Sequence, residues 1–218
     1  HYQPTDYKIG NYQLGTEQEF KELCDEAHKY GIKIIVDVVA NHMTSSTGSI
    51  KSYIKNMEGG AFHNGGGISN YGDRKDVTQN SLLGLIDLNT QNPNIQQLIL
   101  NYLKQCVAAG ADGFRYDAAK HIEIPEDDPS FASDFWPVVL DNGSRFQYGE
   151  ILGSADCGNY QKYMHVTASE YGGTIRNAIR NGDLNANSIS SYSNSASEDK
   201  LVTWVESHDN YCGDGSWR

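Results

Sequence analysis

Arg115 and Asp117 stand two residues apart in the run Gly113-Phe114-Arg115-Tyr116-Asp117-Ala118-Ala119-Lys120-His121. On an extended strand, residues at that spacing share a face. A cation beside a carboxylate favours the ionised form. A strand ending this way could offer a nucleophile or a metal ligand, or simply a surface salt bridge. Three more apolar runs carry an acid at or near their ends. They bring Asp37, followed by Val38-Val39-Ala40-Asn41-His42, then Glu150 after Phe146-Gln147-Tyr148-Gly149, and Asp209 after Leu201-Val202-Thr203-Trp204-Val205.

The elements that must position these acids can be read from periodicity. Thr16 and Glu19 form a capping box ahead of Phe20, Leu23, Ala27 and Tyr30, which recur at helical spacing until Gly31. Residues 32–39 are rich in β-branched side chains and predict a buried parallel strand. Residues 44–86 have poor periodicity and many glycines, too many residues for an ordinary connection. They predict an irregular inserted subdomain. After Pro93, the positions Ile95, Leu98, Ile99, Tyr102, Leu103 and Val107 predict a helix ended by Gly110. Further strands are expected at 113–117, 146–152 and 201–206, a short one near 165–167, and helices near 131–140 and 174–179. Strands alternating with helices predict a parallel sheet with right-handed crossovers. Acids converging from several strand ends suit a (β/α)8 barrel better than a doubly wound sheet.

Composition narrows the partners. A net charge of −11 speaks against nucleic acid, whose phosphates call for Lys and Arg. No run of 18 apolar residues exists to span a membrane, and no signal peptide is visible in this chain. The 14 Tyr and 22 Gly suit loops that stack on and hydrogen-bond a polar ligand such as a sugar. Cys24, Cys106, Cys157 and Cys212 form no Cys-x-x-Cys pair, against a zinc or thioredoxin-like site. Cys24 and Cys106 fall in helical patterns and read as core thiols.

The segments Asp37–His42, Leu85–Asn89, Gly113–His121, Gly149–Leu152 and Val205–Asp209 resemble, in order, the sequence blocks of the alpha-amylase family, with a wording most similar to secreted bacterial alpha-amylases. The resemblance implies that Asp117 is a nucleophile, Glu150 a general acid/base and Asp209 an acid that stabilises the transition state. Retaining glycosidases need one ionised and one protonated carboxyl group. Arg115 beside Asp117 and the lack of an adjacent cation at Glu150 suit that division.

It further implies that His42 and His208 bond the sugar, that Lys120 and His121 lie on the leaving-group side, and that Tyr2 stacks on a sugar with Gln3 beside it. Asn41 and Asp87, with the carbonyls of His121 and Thr78, match ligands of a structural Ca²⁺, an ion that favours oxygen donors. Ser207 stands where chloride-binding members carry Asn, which speaks against chloride dependence.

The fold implied is α/β: a partial (β/α)8 TIM barrel, about strands 3 to 7, with the irregular subdomain inserted after strand 3. Its parts would be 1–43, 44–86 and 87–218. A whole barrel takes about 250 residues, and the isolated chain is expected to be unstable. The function implied is endo-hydrolysis of α-1,4-glucosidic bonds in starch by a secreted, monomeric parent enzyme. A glucanotransferase or oligosaccharide α-glucosidase would use the same acids. A non-catalytic glucan-binding protein on this scaffold is the alternative from another class.

Overall fold

Thr16 opens the first helix, α1 (Glu17–Lys29), with a complete capping box. The Glu19 amide donates to Thr16 Oγ1 at 3.2 Å, and Glu19 Oε2 accepts from the Thr16 amide at 2.7 Å. Two orphan amides at the helix start are thereby satisfied. Cys24 is the buried residue of α1. It lies so close to Gly110 that a Cβ there would sit 2.6 Å from Cys24 Cβ, and Gly110 also has φ +115°. Only glycine combines that backbone with that approach.

The computed structural model describes residues 2–190 and 192–209, in two compact units, His1–Gln147 and Tyr148–Arg218. In the first unit, β1 (Ile35–Val39) pairs in parallel with β2 (Gly113–Asp117), with Asp37 opposite Arg115 and Val39 opposite Asp117. Gly113 is required at the start of β2, because a Cβ would fall 2.2 Å from the Phe146 carbonyl oxygen. Between these strands run α2 (Ser52–Lys55), α3 (Arg74–Gln79) and α4 (Pro93–Ala108). Asn92 caps α4 by accepting from the Asn94 amide at 2.9 Å, and Pro93 fills a position that needs no amide hydrogen. Ile95, Ile99, Leu103 and Cys106 bury the inner stripe of α4. Each large aliphatic side chain so buried contributes about 1.5–3 kcal/mol.

After β2 comes α5 (Phe135–Val139), which packs on α4. The Trp136 ring meets Tyr116 edge-on at 5.3 Å and Phe135 at 5.0 Å. Residues 44–86 lie inside the first unit. They are irregular, as expected, and are anchored by Ile50, Ile54, Ala61 and Val77, all buried.

A strand β3 (Phe146–Gly149) runs across the unit boundary. The second unit continues through α6 (Ser154–Tyr160), β4 (His165–Thr167), α7 (Ser169–Asn181) and β5 (Leu201–Val202). Tyr148 and Gly149 of β3 pair in parallel with His165 and Val166 of β4. Val166 and Thr167 pair in parallel with Leu201 and Val202 of β5. No helix among the described residues is long and apolar enough to cross a membrane.

Several expected elements are shorter or longer than their patterns suggest. The strand expected over 32–39 begins at Ile35, because Ile34 is engaged by Asp112: its amide donates to Asp112 Oδ2 at 2.9 Å, and its carbonyl accepts from the Asp112 amide at 2.9 Å. It is not fully buried, since Ile35 is 39% exposed and only Val38 is buried. The strand expected over 201–206 is two residues long, matching the length that β4 offers it. The strand expected over 146–152 stops at Gly149, and the helix expected over 131–140 is confined to 135–139. The helix expected over 174–179 runs from 169 to 181. Cys24, Cys106 and Cys157 are free and buried. Cys212 lies outside the described residues.

Asp112 is the hub joining α1, the approach to β1 and the approach to β2. Besides Ile34, its carboxylate meets His28 Nε2 at 2.7 Å and Lys33 Nζ at 3.2 Å. Desolvation alone would raise its pKa, but the Ile34 amide, His28 and Lys33 outweigh it and bring it down to about 2. A carboxyl group held below its unfolded value near 4 adds stability that is complete above that value and is lost as pH falls towards the folded value. In the full-length protein, Asp112→Asn is therefore expected to lower Tm at pH 6. That deficit should shrink steadily from about pH 4 to pH 2. An undiminished deficit at pH 2 in thermal scans would contradict this role.

Candidate active site

The acids read from the sequence lie in or after their strands: Asp37 within β1, Asp117 at the end of β2, Glu150 just after β3 and Asp209 beyond β5. Asp117 is the last residue of β2 and is 9% exposed. Arg115, one strand repeat earlier on the same face, places Nη1 3.2 Å from Asp117 Oδ1 and 2.6 Å from Asp37 Oδ1. The parallel register sets Asp37 directly opposite Arg115, so one guanidinium bridges carboxylates from two strands. Such charge-assisted contacts are about twice as strong as neutral ones. Ala118 follows with φ +48°. A left-handed non-glycine residue costs about 1–3 kcal/mol, and here it turns the chain from β2 into the short 3-10 turn of residues 119–121.

Tyr2 completes this group. Its hydroxyl donates to Asp37 Oδ2 at 2.8 Å, and the Arg115 guanidinium carbon lies 5.7 Å from its ring centre. Burial and the Asp37 carboxylate raise its phenol pKa, so it stays a hydrogen-bond donor. His42, 2% exposed, meets the Tyr2 carbonyl through Nε2 at 3.0 Å and Asn41 Nδ2 through Nδ1 at 3.2 Å. Asn41 Nδ2 can only donate, so Nδ1 accepts and Nε2 carries the proton. Burial lowers the His42 pKa, consistent with a neutral ring. Gln3 Oε1 accepts from Thr44 Oγ1 at 3.3 Å. Tyr7 is packing: it is buried and its hydroxyl donates to the Val39 carbonyl at 2.8 Å.

The first unit therefore brings Tyr2, His42, Arg115 and Asp117 into one connected group. It also adds Asp37, which the sequence marked only as an acid at a strand end. In the second unit, Glu150 immediately follows β3. The Ile151 amide after it donates to Thr167 Oγ1 at 2.8 Å, and that hydroxyl donates back to the Ile151 carbonyl at 3.1 Å. The chain leaving Glu150 is thus tied to the end of β4. Asp209 lies beyond β5 with its side chain 65% exposed, and His208 Nε2 is 3.5 Å from it.

Asn41 and Asp87 are brought side by side by backbone pairing. His42 and Asp87 form an antiparallel bridge, and the Leu88 amide donates to the Asn41 carbonyl at 2.9 Å. His121 reaches the same region: Nδ1 meets the Val77 carbonyl at 3.1 Å, next to Thr78. Burial lowers the His121 pKa to about 4. Asn41 and Asp87 are 1% and 3% exposed, and neither Asn41 Oδ1 nor Asp87 Oδ1 accepts a hydrogen bond. An amide oxygen and a carboxylate oxygen on adjoining segments are the hard donor type that suits Ca²⁺. Among the described residues, no group of three or more His, Cys, Asp or Glu is arranged as a metal site.

Lys120 and His121 are held from α3. Arg74 Nη1 donates to the Lys120 carbonyl at 2.6 Å and Nη2 to the Ile122 carbonyl at 3.0 Å, while the same guanidinium grips Asp127 at 2.8 and 2.9 Å. The carbonyls on either side of His121 are thereby fixed. Neither Arg74 nor Asp127 stood out in the sequence, because the pair is 53 residues apart with no local pattern.

Comparison with known proteins adds an independent finding. Residues 1–64 match the family model described as alpha amylase, catalytic domain. The chain is 43% identical over 98% of its length to an alpha-amylase of Butyrivibrio fibrisolvens, of which it covers 26%. It is 40% identical over 96% of its length to an alpha-amylase of Clostridium acetobutylicum, of which it covers 29%. The chain thus spans less than a third of the length of these relatives. Among solved structures, alpha-amylase I from Eisenia fetida matches all of this chain at a TM-score of 0.82 and 21% identity, with 50% of that structure covered. At that identity the likeness speaks to the fold, and it agrees with part of a (β/α)8 barrel.

Proposed function

Because this chain belongs to the alpha-amylase family, we propose that it carries the catalytic carboxylates of an enzyme that hydrolyses internal α-1,4-glucosidic bonds of starch and related glucans with retention of configuration. The observation that carries this reading is the Asp37–Arg115–Asp117 bridge at the end of β2. It holds one carboxylate oriented and ionised, as a glycosyl-accepting nucleophile requires.

In this mechanism Asp117 attacks the anomeric carbon while Glu150, protonated, gives its proton to the departing glycosidic oxygen. A covalent glycosyl ester forms on Asp117. Glu150, now a carboxylate, takes a proton from water, which attacks the ester from the opposite face and restores the original anomeric configuration. Asp209 stabilises the positive charge that develops on the sugar in both steps. Tyr2 offers a ring face to the pyranose. Its backbone is held by His42 and its hydroxyl by Asp37. His42 and His208 bond the sugar at the cleavage point, with Gln3 beside it. Lys120 and His121 lie on the leaving-group side.

Asn41, Asp87 and the carbonyls of Thr78 and His121 would hold a structural Ca²⁺. The ion would supply a fixed charge tying residues 44–86 to the segment that follows Asp117. Chloride plays no part in this reading, and the parent enzyme is read as secreted and monomeric.

The test is product analysis with the full-length enzyme containing this chain. On soluble starch it should cause rapid loss of iodine staining with release of α-configured oligosaccharides, and turnover of maltose should be slow. Cyclic or lengthened products would instead indicate a glucanotransferase. Preferential cleavage of maltose would indicate an α-glucosidase. Glucan binding without cleavage would refute a catalytic role.

A further inference from the structure

We propose that His63 is a positioning residue: it holds one oxygen of Asp87 so that the other faces the calcium ion, and the proposal rests on the calcium reading above. His63 belongs to the irregular 44–86 segment, outside the blocks that carry the family resemblance. Its backbone amide donates to the Asp87 carbonyl at 3.2 Å, and its Nδ1 lies 2.7 Å from Asp87 Oδ2. Both contacts come from one residue, and among the described residues no other side chain hydrogen-bonds the Asp87 carboxylate. The terminal torsion of an aspartate is broad and soft. Without Nδ1 the carboxylate would be free to rotate, and its two oxygens would cease to have distinct tasks.

The far side of the ring faces a second carboxylate without hydrogen-bonding it. His63 Nε2 sits 3.6 Å from Glu123 Oε1, and the His63 side chain is 9% exposed against 0% for Glu123. Glu123 is itself pinned by Gln79 Nε2 and Thr90 Oγ1. The ring thus lies between two buried carboxylates and hydrogen-bonds one of them, Asp87, through Nδ1. The chemistry is that of an outer partner orienting a metal-binding carboxylate, whose loss typically weakens metal affinity about 10–100-fold.

The test is calorimetric titration of Ca²⁺ alone into chelator-stripped full-length protein, with near-ultraviolet circular dichroism to check folding. His63→Leu should weaken Ca²⁺ binding by about 10–100-fold. His63→Asn should bind within about threefold of the parent, because its Nδ2 can place a donor where Nδ1 stood. If His63→Leu does not fold, His63→Ala, which also removes the donor, is judged by the same criterion as His63→Leu. Parent-like affinity in the donor-deleted variant would overturn the proposal. So would a His63→Asn variant as weak as the donor-deleted one, since the loss would then come from packing. Asp87→Asn separates the two readings: if it leaves Ca²⁺ affinity unchanged, the calcium reading itself fails.

Discussion

Replacing Asp117 with Asn in the full-length enzyme is expected to reduce kcat on starch by on the order of 10⁴-fold or more, the scale of loss when a covalent nucleophile is removed. The amide is nearly isosteric, so KM should change far less than kcat. Asn cannot form the glycosyl ester, and general acid assistance by Glu150 alone does not replace it. The fold should survive. Asp117 is the last residue of β2, and its backbone pairing with Val39 does not depend on its side chain. Removing a carboxylate also lessens repulsion with Asp37 across the same guanidinium. Normal starch hydrolysis by a folded Asp117→Asn protein would refute the nucleophile assignment.

The second large effect is expected at Arg115. Its side chain is 11% exposed and its Nη1 touches both Asp37 and Asp117. Arg115→Met keeps the aliphatic bulk and removes the cation. Two carboxylates would then face each other across a largely dry strand pair. Breaking a buried ion pair on one side costs about 3–5 kcal/mol, and half-exposed Asp37 places this case at the lower end. Loss of the adjacent cation disfavours the ionised carboxylate. The acid limb of the kcat/KM profile should therefore move to higher pH, while the alkaline limb stays. Arg115→Lys restores charge without the planar fork that spans two strands, so it should recover the pH profile better than it recovers kcat. A pH–rate profile of Arg115→Met with an unmoved acid limb would show that Arg115 does not set the ionisation of the nucleophile.

The sequence disclosed what is local. The capping box of α1 and the apolar stripe of α4 each depend on residues within a turn or two of one another, and both stand as expected. The same holds for Arg115 and Asp117, whose two-residue spacing places them on one face of β2. Strand limits were less legible, because a strand ends where its neighbour stops pairing. Ile34 is β-branched like the residues after it, yet its backbone is taken by Asp112, 78 residues away. α7 hid its first turns because Gly172 and Gly173 depress helix propensity there, although the helix forms in context.

The site was legible in the same uneven way. The acids at strand ends could be named from their runs. The residues that hold them could not, since the Asp37–Arg115 contact joins positions 78 apart and the Glu123–Thr90 contact joins positions 33 apart. His63 sits in a stretch with no period at all. Its only local hint is that a histidine among glycines and asparagines has to bond something when the segment packs.

Asp117 as the residue that bonds the anomeric carbon is addressed most directly by a trapping experiment. The full-length enzyme would be treated with a fluorinated α-glucosyl substrate that forms the covalent intermediate quickly and releases it slowly, then digested and analysed by mass spectrometry. The predicted result is one glycosyl group per active site, carried by the peptide containing Asp117. A glycosyl group on Glu150 or Asp209, or turnover that inverts the anomeric configuration with no covalent adduct, would contradict it.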